Sequence, residues 1–147
     1  MKNNDVEDFI AEASVIINAP LKSVWHALLD KDASKSYMFG ATVESSWNEG
    51  DTITWSGEWK GKPFEDKGKV LKKEPEQMLQ YSHFSPLSGK EDTPSNYHTI
   101  TITLVPEDEG VWVALTQDKN ETLKEKEHSE KNWGTMLESL KSFVESK

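Results

Sequence analysis

The four histidines are the first candidates for chemistry, and they stand on separate stretches of the chain, at His26, His83, His98 and His128. His83 follows Leu79 and Tyr81 at every second residue, and His98 opens the series Ile100, Ile102, Leu104. Each therefore shares a strand face with apolar residues. A histidine placed this way is either a hydrogen-bonded core residue or a polar anchor inside an apolar-walled cavity. Tyr81 and Gln117 admit the same two readings. If their strands are neighbours, His83 and His98 bring two imidazoles together, but without a placed carboxylate they make a poor metal site. There is no Gly-x-Ser-x-Gly elbow and no His-Glu-x-x-His motif, and Gly57, Gly61 and Gly68 are too scattered to cradle a pyrophosphate. The acidic pairs Glu107 with Glu109 and Glu125 with Glu127 read as a solvated turn and a helix surface. No catalytic constellation is identified, and no cofactor is implied.

Aromatic residues are the second signal. Six tryptophans in 147 residues exceed what a plain core requires. Trp55, Trp59 and Trp133, together with Phe64 and Tyr81, are candidates to line one concave space. Trp25 reads as packing between the first helix and the sheet.

The elements that position these residues follow from periodicity. Residues 9–18 are rich in Val and Ile and read as a strand, stopped by Ala19-Pro20. Val24, Trp25, Leu28 and Leu29 mark a short amphipathic helix, and a second short helix is expected over 33–39, ended by Gly40. Six strands follow, at 42–47, 52–59, 64–73, 78–84, 98–105 and 111–117. They are separated by turn clusters at Asn48-Glu49-Gly50-Asp51, Gly61-Lys62-Pro63, Glu74-Pro75-Glu76 and 106–110, and by an irregular loop at 85–96. Residues 122–147 form one long helix, opened by a capping box of Thr122 with Glu125. Its apolar stripe runs through Trp133, Met136, Leu137, Leu140, Phe143 and Val144, of which Trp133, Leu137, Leu140 and Val144 are expected to be buried. Lys126, Ser129 and Glu130 continue the same stripe and predict a wetter rim. Consecutive strands with tight turns form an antiparallel meander, and the helix is its natural cover.

Length favours one domain spanning 1–147 that needs no disulfide or metal to hold a core. The absence of cysteine excludes thiolate sites and suits a reducing compartment. Met1 to Asp8 is polar, with no signal-peptide core, and the longest apolar run is only Val111 to Leu115. A cytoplasmic protein without membrane insertion is expected. The net charge of −9 argues against nucleic acid as a partner.

This order of elements resembles the helix-grip fold of the START and birch-pollen-allergen superfamily, SRPBCC, and more closely the branch named for the activator of heat-shock protein 90 ATPase. The resemblance rests on three stretches: Ile17-Asn18-Ala19-Pro20 with Val24-Trp25 and Leu28; Gly68-Lys69-Val70-Leu71 with Pro75 and Leu79-Gln80-Tyr81-Ser82; and Asn132-Trp133 with Leu137, Leu140 and Lys141. It implies an α+β fold in which a curved antiparallel sheet of six to seven strands wraps around the C-terminal helix, after two short helices following strand one. It also implies an apolar cavity between sheet and helix. On the strand registers above, the cavity wall is Ile53, Trp55, Trp59, Phe64, Tyr81, His83, His98 and Gln117, facing Trp133 and Met136, with Phe39 closing one end. Two functions are expected: binding of an apolar or aromatic small molecule in that cavity, or a co-chaperone-like role in which the partner is a chaperone or other protein. The chain is expected to be a monomer or homodimer.

Overall fold

Seven strands with inward apolar positions close around one helix. The computed structural model describes residues 9–147, apart from the side chain of Trp59. The expectation for Met1 to Asp8 lies outside the described residues. The chain runs β1 (Phe9–Ile17), α1 (Leu21–Leu29), α2 (Lys31–Tyr37), β2 (Thr42–Glu44), β3 (Thr52–Trp59), β4 (Lys62–Glu74), β5 (Met78–His83), β6 (His98–Pro106), β7 (Val111–Asn120) and α3 (Leu123–Glu145). All pairings are antiparallel, in the order β1-β7-β6-β5-β4-β3-β2.

Alternation sets the two faces. Ile100, Ile102 and Leu104 of β6 lie across from Gln117, Leu115 and Val113 of β7, and all of these but Gln117 are buried. The sheet bends where its ladders break. The β4–β5 register shifts between Val70 and Lys72, and a side chain at Gly68 would overlap the Ser82 carbonyl. Only glycine permits that approach.

The helix begins as expected. Thr122 Oγ1 accepts the Glu125 N–H at 3.0 Å, and Glu125 Oε1 accepts the Glu121 N–H at 3.0 Å. Met136, Leu137, Leu140 and Val144 are buried against the sheet. The charged side chains of the helix have a definite role. β1 is an edge strand, and its unpaired backbone groups would template association with another chain. Side chains of α3 seal that edge: Glu130 Oε2 accepts the Glu12 N–H at 3.0 Å, Glu145 Oε2 accepts the Asn18 N–H at 2.7 Å, and Lys141 Nζ donates to the Ile16 carbonyl at 2.8 Å. Lys126 and Lys141 hold those two carboxylates from one helical turn away, at 2.9 and 2.6 Å.

Two boundaries differ from expectation. The strand expected at 42–47 ends at Glu44, because Asp51 Oδ2 accepts from Ser46 Oγ at 2.7 Å and from the Asn48 N–H at 3.1 Å and draws the chain into a turn. The second short helix starts earlier, with Asp30 as its cap, accepting the Asp32 N–H. It therefore ends at Tyr37, before Phe39.

The edge seal has a pH signature. The Glu12 N–H, then Lys126, hold the Glu130 carboxyl below its ordinary value; Lys141, then the Asn18 N–H, do the same for Glu145. A lowered folded-state value means that the stabilisation is complete above the unfolded glutamate value of about 4.3 and is lost as pH falls through the lowered one. The Glu130→Gln, Glu145→Gln double variant is expected to have a lower urea midpoint than the parent at neutral pH. The gap should narrow on acidification to about pH 3, read by circular dichroism. A gap independent of pH would mean the two carboxylates do not hold the edge.

Candidate functional site

Counting outward from the two-residue turn at Lys60 and Gly61, both with positive φ, fixes the inward pairs of β3 and β4. Gly57 lies opposite Phe64, Trp55 opposite Asp66, and Ile53 opposite Gly68. Phe64 is half-buried, and its ring comes within 3.2 Å of where a side chain on Gly57 would begin, so Gly57 makes room for it. On the next strands Tyr81 pairs with Ile100, and His83 with His98. These registers gather one aromatic group on the concave face. Trp55 packs against Tyr81 at 5.4 Å between ring centroids and meets His83 edge-on at 4.8 Å.

Asp66 joins this group. His83 Nε2 lies 3.0 Å from Asp66 Oδ2, with side-chain exposures of 26% and 17%. The other oxygen, Asp66 Oδ1, is buried and has no hydrogen-bond partner among the described residues. Sequence reasoning does not single out Asp66: alternation places it on the face of Phe64, but a carboxylate in a strand reads by default as solvent-exposed. With the turn at 60 and 61, the register aims the carboxylate inward, opposite Trp55. Among the described residues, no group of three His, Asp or Glu side chains is arranged to hold a metal.

Across the β5–β6 pair lies a second polar group, and it is satisfied internally. Trp133 Nε1–H donates to Gln117 Oε1 at 2.6 Å, which orients the amide. Ser129 Oγ donates to Asn120 Oδ1 at 2.9 Å, and Asn120 Nδ2 donates to the carbonyls of Phe9 and Gln117 at 2.9 and 3.1 Å. His98 Nδ1 lies 2.9 Å from the Asp118 carbonyl and 3.4 Å from Gln117 Nε2. The shorter contact places the ring proton on Nδ1, donating to the carbonyl. Gln117 and Trp133 thus tie α3 to β7. Trp133 is half-buried rather than part of the dry core, because its indole N–H needs that acceptor.

Ile53, Trp55, Tyr81 and Met136 are buried where expected. They belong to an interior that is almost filled. Leu28, Tyr37, Trp47, Trp55, Tyr81 and Met136 surround a void of about 20 Å³, against the roughly 300 Å³ at which small-molecule sites begin. Phe39 does not close it: at φ 55 it turns outward and is 66% exposed. Tyr37 fills that end instead, its hydroxyl donating to the Ala27 carbonyl at 3.0 Å. Burial pushes the Tyr37 hydroxyl far above the ordinary tyrosine value, with smaller contributions from Tyr81 and Asp30, and burial raises Tyr81 likewise. Both are neutral at physiological pH. The position proposed for the Trp59 side chain lies outside the described residues.

Residues 18–145 match the family model described as Activator of Hsp90 ATPase homolog 1-like protein. The chain belongs to that family. Its fold is shared with solved members of the wider group. The solution structure of ChR145 from Cytophaga hutchinsonii is 56% identical over 96% of this chain and 97% of that one, with a TM-score of 0.84. MLL2253 from Mesorhizobium loti is 17% identical over 95% and 98%, with a TM-score of 0.77. The Aha1 dimer from Colwellia psychrerythraea is 20% identical over 91% and 94%, with a TM-score of 0.71. No curated protein matches the chain. Family and fold support a ligand-binding or Aha1-like module in general terms. No helix among the described residues is long and apolar enough to cross a membrane.

The Trp133–Gln117 bond can be tested alone. Trp133→Phe keeps an aromatic ring but leaves Gln117 Oε1 without its donor. It is expected to cost about 1–3 kcal/mol in urea unfolding. A loss under about 0.5 kcal/mol would show that the bond contributes nothing net.

Proposed function

We propose that this member of the family binds small aromatic or apolar molecules carrying one N–H or O–H donor, at the rim of the concave face around Trp55, Phe64, Asp66, Tyr81 and His83. The observation that carries the reading is Asp66 Oδ1, buried and without a hydrogen-bond partner among the described residues. Leaving such an acceptor unmade costs about 1–3 kcal/mol, and a ligand donor aimed at it recovers that cost. The neighbouring rings supply apolar contact area. The central void has room for about one water, so the ligand body lies toward Phe64 and His83 rather than in the middle of the core.

Titration with benzylamine and benzyl alcohol, against toluene as the donor-free control, is read through tryptophan emission. Saturable binding is expected for the two donors and at least about tenfold weaker binding for toluene, a difference of 1.4 kcal/mol. Asp66→Asn should remove the preference while keeping or raising stability, as is common when a strained binding residue is replaced. Equal binding of all three probes, or no binding, would count against the site.

An Aha1-like interaction role draws on a different face. Ile16, Trp112 and Val105 line up across β1, β7 and β6 on the outside of the sheet, with exposures of 50%, 38% and 37%. The Colwellia relative was solved as a dimer. If the titration fails and Trp112→Lys abolishes self-association in sedimentation, the interaction reading takes its place.

A further inference from the structure

We propose that the convex face carries a separate binding site for a small organic anion with an apolar body, in the groove between β4 and the loop at 85–97. The groove has a volume of about 580 Å³, within the range of roughly 300–1,000 Å³ typical of small-molecule sites. It is unrelated to the concave face. Asp66 and Lys67 are consecutive on β4, and Asp66 faces the helix side while Lys67 lines the groove.

One wall is held in place by contacts of its own. Phe84, only 4% exposed, stacks on Tyr97 at 5.1 Å between centroids. The Tyr97 hydroxyl donates to Asp92 Oδ1 at 2.6 Å, and Lys67 forms an ion pair with the same carboxylate. Lys67, then Tyr97, hold the Asp92 carboxyl below its ordinary value. Asp92 is thereby neutralised by Lys67 and is not left to repel an anion.

The floor and far side have the opposite character from the rest of the chain. Lys69 and Lys119 line the groove, and neither forms an ion pair with a described residue. Leu71, 45% exposed, lies in the same groove. Two uncompensated ammonium groups beside an exposed leucine and a tyrosine ring, in a chain of net charge −9, reverse the sign of the field locally. That combination suits a single negative head on an apolar body. An extended polyanion is disfavoured, because every phosphate beyond the groove would meet the acidic surface.

The test uses the full chain labelled with nitrogen-15, titrated with naphthalene-2-sulfonate and, as the uncharged arm, 2-naphthylmethanol. Saturable amide shifts are expected at Thr52, Lys69, Leu71, Ser82 and Thr99. The affinity should fall with added salt and be at least about tenfold weaker for the alcohol. The Lys69→Glu, Lys119→Glu double variant should lose about tenfold or more in affinity for the sulfonate. The Lys69→Gln and Lys119→Gln single variants give the same direction should the double variant fail to fold. Shifts confined to Trp55, Tyr81 and His83, equal binding of the alcohol, affinity unchanged in the variants, or no saturation by the sulfonate would each overturn the proposal.

Discussion

The structure depends on how its last helix closes its first strand. A seven-stranded open sheet has two edges, and β1 is a long one, with N–H and C=O groups facing outward. Glu130 and Lys141 satisfy two of them from α3, and Glu145 accepts the Asn18 N–H just past the strand, at the same time as Met136, Leu137, Leu140 and Val144 bury the helix on the sheet. The apolar stripe alone would let α3 slide or turn on a surface of similar side chains. The polar contacts fix its position, because each needs a particular backbone atom. The charged side chains, the Trp133 indole and the aliphatic stripe of one helix are therefore parts of a single docking geometry.

The fold was legible because its signals are periodic. β3 and β6 alternate so regularly that their first residues, Thr52 and His98, were placed correctly, and the capping box fixed the start of α3. Less regular elements were less legible. β2 is cut short by the side-chain turn around Asp51, a competition between hydrogen bonds that periodicity does not register. Phe39, expected to close one end of the cavity, has its backbone in the left-handed region and is exposed, and Tyr37 occupies the interior place.

The site was partly legible for the same reason. Trp55, Tyr81 and His83 were read onto the right face because alternation determines facing within a strand. Asp66 shares the face of Phe64 by the same alternation, but a carboxylate in a strand reads by default as solvent-exposed. The expected roomy cavity is a void of about 20 Å³, since Tyr37, Trp47 and Met136 fill the centre. The size of a void is set by how side chains from five or six elements interlock, and no local pattern encodes it. Polar groups at the rim are what distinguish this domain's concave face from an ordinary core.

The sealing of β1 by α3 also bears on how the chain is made. The bonds joining the two elements span 118, 125 and 127 residues. During synthesis all seven strands emerge before the helix that covers them, so a nascent chain exposes an open edge and an uncovered apolar face until its last turns leave the ribosome. At roughly 5–20 residues per second, the interval from the completion of β7 to the end of α3 is on the order of a second or more. Those seconds are when the open edge and the uncovered apolar face are both available for pairing with another chain.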